Sequence, residues 1–139
     1  MSPTTLSDFY ANLGALVVDG VSRRLDFPPT SLTSADLPTQ WVQAPAVDEG
    51  PMTYGTHGGW PTLRAQLVIA TASFLEGIQS DNYIAALAMA DSVLNALRAV
   101  NVSSLNLGKS KLSWTVSVGK VTVNETDYWA VIADIQGAG

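Results

Sequence analysis

The sequence contains no cysteine and only one histidine, His57. Without cysteine the chain has no disulfide, no thiolate chemistry and no cysteine-based zinc site. A lone histidine is also a poor candidate for a metal site, because transition-metal sites gather several such ligands. The lack of cysteine fits a reducing compartment. These shortages argue against most metal and thiol chemistry, and we do not expect His57 to serve as a ligand or a base.

Charged side chains are also scarce. Asp, Glu, Lys and Arg make up 14% of the chain, against about 25% in ordinary domains, while hydrophobic residues stand at a normal 47%. The centre of a protein interface is depleted of charge in the same way, which predicts a stable assembly. A neutral surface rich in Ser, Thr, Asn and Gln is the alternative. The net charge of −5 argues against a surface that binds nucleic-acid phosphates.

Sequence motifs of catalysis are missing as well. There is no complete phosphate-binding Gly-x-x-x-x-Gly-Lys-Ser/Thr loop, no dinucleotide fingerprint and no Gly-x-Ser-x-Gly elbow. A triad would have to use His57, and the adjacent Asp48 and Glu49 would point apart in an extended segment. No apolar run approaches the ~20 residues of a membrane span, and no signal-peptide pattern opens the chain. We therefore expect one domain over residues 1–139 that is not an enzyme, with no cofactor, metal or membrane partner.

The strongest pattern that is present predicts a long β-hairpin over residues 111–136. Apolar residues occupy even positions in its first arm: Leu112, Trp114, Val116 and Val118. Turn chemistry follows at Asn124–Asp127, because Asn and Asp tolerate tight turns. The apolar positions change parity at Gly119-Lys120, which predicts a β-bulge that bends the hairpin. A tight turn at Gly119-Lys120, giving three short strands, is the alternative.

Other periodicities predict two helices and two more strands. The elements are helices over Thr5–Leu25 and Asp81–Val100, and strands over Leu37–Ala44 and within Trp60–Phe74. In the second helix, the stripe predicted to face the core begins with Tyr83 and Leu87. The expected fold class is α+β: two helices packed on one face of a mixed or antiparallel four-stranded sheet, with a long bent C-terminal hairpin.

Two segments are predicted to contact other chains. Val47–Trp60 is glycine-rich, and loops of this length in a small domain are usually functional, so we expect an arm that orders against a neighbour. The hairpin tip, Gly119–Trp129, is expected to project. The candidate interface residues are Tyr54, His57, Trp60, Lys120, Glu125, Asp127 and Trp129. The tryptophans could instead be core residues, and for Trp114 we favour that interpretation.

The order of elements resembles the tail terminator proteins of long-tailed bacteriophages and the related tail-completion, or tail-to-head joining, proteins. The resemblance covers nearly the whole chain. It rests on the first helix, Leu37–Val42, Leu63–Thr71, Asp81–Val100 and Asp127–Ile132. The glycine-rich loop and the parity change at Gly119 do not map onto a shared motif of that family.

The resemblance implies a hexameric ring that caps the head-proximal end of the tail tube, stops its polymerisation and offers a docking surface to a neck or head-completion protein. It implies that DNA passes through the lumen without specific binding, and the acidic balance is compatible with this. The protein would be assembled in the host cytoplasm and reside in the virion. Alternatives are a head–tail connector or other neck adaptor, an adaptor that adds a strand to a partner's exposed sheet edge, and a small-molecule-binding or enzymatic domain with the His57 loop as a lid.

Overall fold

The computed structural model describes residues 6–33, 35, 37–48, 62–74, 77–99 and 111–138. Its elements are α1 (Leu6–Gly14), β1 (Arg23–Arg24), β2 (Thr39–Asp48), β3 (Thr62–Ser73), α2 (Gln79–Ala99), β4 (Lys111–Val123) and β5 (Thr126–Ala138). The strands form one mixed sheet in the order β1-β2-β3-β5-β4. Strand β1 runs parallel to β2, and the other neighbours are antiparallel. The fold is therefore α+β.

The expectation of four strands is wrong, because β1 adds a fifth strand within the stretch that was predicted to be helical. Helix α1 ends at Gly14 instead of continuing to Leu25. The residues that follow still bury apolar side chains, Leu16 and Val18 among them, but the backbone is no longer helical. Gly20 adopts a φ of +91°, a left-handed conformation that favours glycine and is incompatible with a continuing helix. The apolar spacing thus predicted burial correctly and its local structure incorrectly.

The predicted bulge at Gly119-Lys120 is also wrong, and so is the alternative turn. Strands β4 and β5 pair residue by residue along their whole length, with no register shift. The apolar positions change parity for another reason: the two ends of β4 bury their side chains on opposite faces of the sheet. Its even positions pack on the helical face up to Val118, and Val121 and Val123 pack on the opposite face. A two-residue loop, Asn124-Glu125, closes the hairpin, and both of its residues have positive φ (50° and 65°), as in a primed turn.

Both helices pack on the same face of the sheet, as expected. The buried residues there include Phe9, Leu13, Met89, Val93, Leu97, Leu67, Ile69, Val131 and Ile135. In α2 the buried stripe is Ala86, Met89, Val93 and Leu97. The predicted stripe was wrong at its start, since Tyr83 and Leu87 are exposed. Both stripes have helical spacing, and spacing alone does not say which one meets the sheet.

A second, smaller core lies on the opposite face of the sheet. Its fully buried centre is Trp41, which packs with neighbours on β3 and β5, and Leu25, Leu32 and Leu37 pack against it. Strand β2 begins later than predicted, after Pro38, and runs on through Pro45 to Asp48. A register shift between Gln43 and Ala46 accommodates that proline. The sheet is therefore covered on one face by helices and on part of the other by the segment between β1 and β2.

Candidate assembly interface

The predicted interface residues fall into two groups. Tyr54, His57 and Trp60 lie outside the residues that the structure describes, as does residue range 49–61 as a whole. The remaining four lie in the hairpin: Lys120, Glu125, Asp127 and Trp129. The start of the predicted arm is different from expectation, because Val47 and Asp48 belong to β2.

Lys120 and Asp127 lie on the two arms near the tip and contact each other. The Lys120 Nζ is 3.6 Å from the Asp127 Oδ2, and both side chains are substantially exposed. The Thr122 hydroxyl donates a 2.6 Å hydrogen bond to Asp127 Oδ1. This hydrogen bond is the main reason that the pKa of Asp127 lies below its usual value. Desolvation is the next largest effect and opposes it, and the Lys120 charge lowers the pKa further. An exposed pair of this kind contributes little to stability, so these residues form a polar border rather than an anchor.

Trp129 does not project freely, because it joins the hairpin to the start of α2. Its ring centroid lies 4.5 Å from that of Phe74 and 5.3 Å from that of Tyr83. Its indole Nε1 donates a 2.8 Å hydrogen bond to the Gln79 side-chain oxygen. Edge and tilted aromatic contacts at these distances add to the burial energy. Trp129 therefore fixes the position of the hairpin relative to α2 and packs against the Tyr83 ring.

The first half of α2 and the residue just before it expose a set of large apolar side chains that we call the α2 patch. It consists of Ile78 (66% exposed), Tyr83 (45%), Ile84 (63%) and Leu87 (43%). Leu87 lies four positions after Tyr83 and three after Ile84, so the three side chains lie on one side of the helix. Sequence reasoning placed Tyr83 and Leu87 in the core and did not single out Ile78 or Ile84. The available signal was that α2 carries more apolar positions than one buried stripe needs.

The outer side of β4 is a second unusual surface, which we call the open edge. Strand β4 has 13 residues and lies at the end of the sheet, so among the described residues β5 is its only neighbour. It contains no proline, and its pairing with β5 has no bulge. Ser113, Thr115 and Ser117 are exposed on one face, and Trp114, Val116 and Val118 are half-buried on the other. Long edge strands without such interruptions are templates for pairing with another chain.

The other end of the sheet, which we call the closed edge, is protected. Strand β1 covers the first part of β2 by pairing with Thr39 and Gln40. Further along, β2 contains Pro45, a register shift and Ala44 with a φ of +53°. Proline, bulges and short covering strands are the usual means by which proteins block pairing at an edge.

A cavity of about 810 Å³ beside α1 is the place to look for small-molecule binding. Its polar side chains already serve the fold. The Arg24 guanidinium donates a 3.0 Å hydrogen bond to the Ala15 carbonyl oxygen, and the Tyr10 hydroxyl donates a 2.8 Å bond to the Asp26 carbonyl oxygen. Burial, aided by the Asp26 carboxylate, raises the pKa of Tyr10, so its hydroxyl is held in the neutral donor form. The cavity thus offers little free polar chemistry to a ligand.

Metal and membrane chemistry receive no support from the part of the chain that is described. Within it, no group of three or more His, Cys, Asp or Glu side chains could hold a metal ion. No helix in the same part is long and apolar enough to cross a bilayer. No protein-family model matches the chain, and no curated protein matches it.

Proposed function

We propose that this chain is a structural virion protein that caps the head-proximal end of a bacteriophage tail tube as a ring, stops tube polymerisation and offers a docking surface to a neck or head-completion protein. The α2 patch is the observation that supports this proposal best. Scattered apolar residues on a surface are ordinary, but neighbouring ones on a single helix mark a docking site.

The surroundings of the α2 patch suit a protein interface. The Tyr83 ring contacts Trp129, which itself packs against Phe74, so Tyr83 offers contact area that is already held in place. Lys120 and Asp127 supply charged groups on the nearby hairpin tip. An apolar centre with a polar border is the usual anatomy of an interface. In a cyclic ring such a patch meets a different surface of the next copy.

A neck adaptor that adds a strand to a partner is the second candidate function, because the open edge of β4 favours it. An extended partner segment can pair with such an edge through main-chain hydrogen bonds. The two candidates use different surfaces of the chain. They can therefore be separated by substitutions that affect only one of them.

The test is whether the protein limits the length of tail tubes through the α2 patch. The variant Ile84→Glu/Leu87→Glu places two charges in the patch at exposed helical positions, so the fold is expected to persist. Asn95→Glu, at an exposed position elsewhere on α2, is the matched control. Tube protein from the same phage is polymerised with each variant, and tube lengths are measured by electron microscopy.

We expect the unaltered chain and Asn95→Glu to shorten the tubes and to be found at one tube end. Tubes formed with the patch variant should be as long as tubes formed without any added protein. Tubes of equal length with and without the unaltered chain would contradict the capping function. Full capping by the patch variant would show that the α2 patch is not the contact surface.

A further inference from the structure

We propose that the open edge of β4 pairs with β4 of a second copy of this chain. The two strands run antiparallel about a two-fold axis at Val116, and the five-stranded sheets of the two copies join into one continuous sheet. This contact does not involve the α2 patch, and it does not rest on the proposed function.

Half of the main-chain groups of β4 have no strand partner among the described residues. In a hairpin with a two-residue primed turn, the two residues that flank the turn form two main-chain hydrogen bonds with each other. Along each arm, the main-chain groups of successive residues then point alternately towards the other arm and away from it. The closing pair is Val123 with Thr126, so odd residues of β4 bond to β5 and even residues point their N–H and C=O groups outward. The main chain of β5 agrees, since the odd residue Asp127 uses its carbonyl oxygen on the other side, towards Phe74.

These outward main-chain groups match the same groups of a second copy. With a two-fold axis at Val116, this residue pairs with its own counterpart, and Trp114 pairs with Val118 of the other copy. All three have outward main-chain groups, so each pair exchanges two hydrogen bonds, giving about six in this central part. The axis is perpendicular to the sheet, so it keeps each face on its own side. The register therefore needs no bulge on either strand.

This register brings compatible side chains together on both faces of the joined sheet. On the helical face, half-buried Trp114 and Val116 meet Val118 and Val116 of the second copy, which extends the main core across the axis. Aromatic and β-branched residues are favourable cross-strand partners. On the other face, exposed Thr115 meets Ser117, and no charged residue lies in the central part from Ser113 to Val118.

The closed edge is a poor partner for β4 of another copy. Strand β1, Pro45 and the register shift in β2 interrupt its main-chain groups. Head-to-tail pairing of sheets from copy to copy is therefore disfavoured, and a symmetrical β4 pair remains. A ring built through the α2 patch can coexist with this pair, and the two contacts together give two rings related by two-fold axes.

The experiment uses charge substitutions at two exposed positions of β4, so that folding is not at risk. Thr115→Lys/Ser117→Lys sets lysine against lysine in both 115–117 pairs of the proposed register. Thr115→Lys/Ser117→Glu is the matched variant, because the same register sets each lysine against a glutamate of the other copy. Self-association is measured by sedimentation equilibrium, and the fold is checked by circular dichroism. The measurements are repeated with Ile84→Glu/Leu87→Glu as background, so that any ring contact is removed.

We expect the two-lysine variant to raise the dissociation constant of the pair by roughly tenfold, and the lysine–glutamate variant to leave it unchanged or lower it. Equal dissociation constants for the unaltered chain and the two-lysine variant would overturn the proposal. Equal weakening by both variants would overturn the register. A monomer at all concentrations in the α2-patch background would rule out the β4 contact, whatever the result of the tube assay.

Discussion

The two edges of the sheet differ in how they are finished. At the closed edge, β1 covers part of β2, and Pro45 with the neighbouring register shift interrupts the rest. At the open edge, β4 runs for 13 residues with a regular partner on one side and no strand described on the other. A fold that blocks one edge by several means and leaves the other regular directs strand addition to a single side.

The closed edge also carries conformational cost that the open edge does not. Ala44 has a φ of +53°, a left-handed conformation that costs a non-glycine residue about 1–2 kcal/mol. Across β4 the pairing with β5 is continuous, and both of the positive φ values in the hairpin lie in its turn. The strain at the closed edge accompanies its interruption, whereas the open edge keeps the regular geometry that a pairing partner needs.

The largest expected effect on stability comes from removing Trp41, the buried tryptophan of β2 at the closed edge. Trp41 is 1% exposed at the centre of the second core. Trp41→Ala should lower the free energy of unfolding by about 3–5 kcal/mol, because a large buried side chain leaves a cavity. Urea denaturation measures this loss. The dissociation constant of the β4 pair should stay the same below the unfolding transition, and weakened pairing would show that the two edges are not independent.

Proline substitutions at neighbouring positions of β4 sharpen the comparison within the open edge itself. Ser117→Pro removes an N–H that points to β5, and the unpaired acceptor should lower the free energy of unfolding by about 1–3 kcal/mol. Val116→Pro removes an outward N–H instead. It should cost less stability and abolish pairing with a second copy, since proline is tolerated where the N–H faces away from the sheet. Thermal unfolding measures the loss of stability, and light scattering measures the loss of pairing. Equal losses of stability would contradict the assignment of the odd-numbered main-chain groups to β5 and of the even-numbered ones to the open edge.

Glu125 tests the turn that keeps the open edge in register. Its φ of +65° is unfavourable for a residue with a side chain. Glu125→Gly should therefore raise the free energy of unfolding by roughly 0.5–1 kcal/mol. Asn124→Gly is a weaker variant at the adjacent position, because asparagine already tolerates positive φ. A loss of stability on Glu125→Gly would mean that the glutamate side chain has a role beyond the turn.

The smallest effect concerns the pKa of Asp127. Thr122→Val removes the hydrogen bond that contributes most to its lowered pKa, so the pKa should rise towards the ordinary value of about 4. Because the folded pKa is lowered, ionised Asp127 favours the folded state above its unfolded pKa, and this contribution is lost as the pH falls through the folded pKa. NMR titration of the carboxyl carbon measures the shift. An unchanged pKa in Thr122→Val would assign the effect to Lys120.

Much of the fold could be predicted from periodicity, and the errors have a common cause. The hairpin, α2, β2 and β3 were predicted because each has a regular apolar pattern. The segment after Gly14 kept such a pattern while changing from helix to a turn and a short strand, which burial alone does not distinguish. The parity change at Gly119 arises because the end of β4 packs into the second core, on the other face of the sheet. A pattern along one strand does not reveal what covers each of its two faces.

The sequence predicted that Trp129 and the hairpin tip contact another chain, and this stays a prediction. The structure adds that Trp129 packs against Tyr83 and Gln79 of its own chain. Ile84 and Leu87 were missed as a surface because helical spacing fits either a buried or an exposed stripe. The contrast between the two edges depends on the strand order, which brings β4 to the end of the sheet, and no local pattern encodes that order.

Amide hydrogen exchange along β4, measured at increasing protein concentration, tests the open edge most directly. We predict that the amides of odd residues such as Thr115 and Ser117 are protected at every concentration by β5. The amides of Trp114, Val116 and Val118 should become protected as concentration rises and a second copy pairs with them. Exchange of these even-numbered amides that stays fast at all concentrations, or that is already slow in the isolated monomer, would contradict the account.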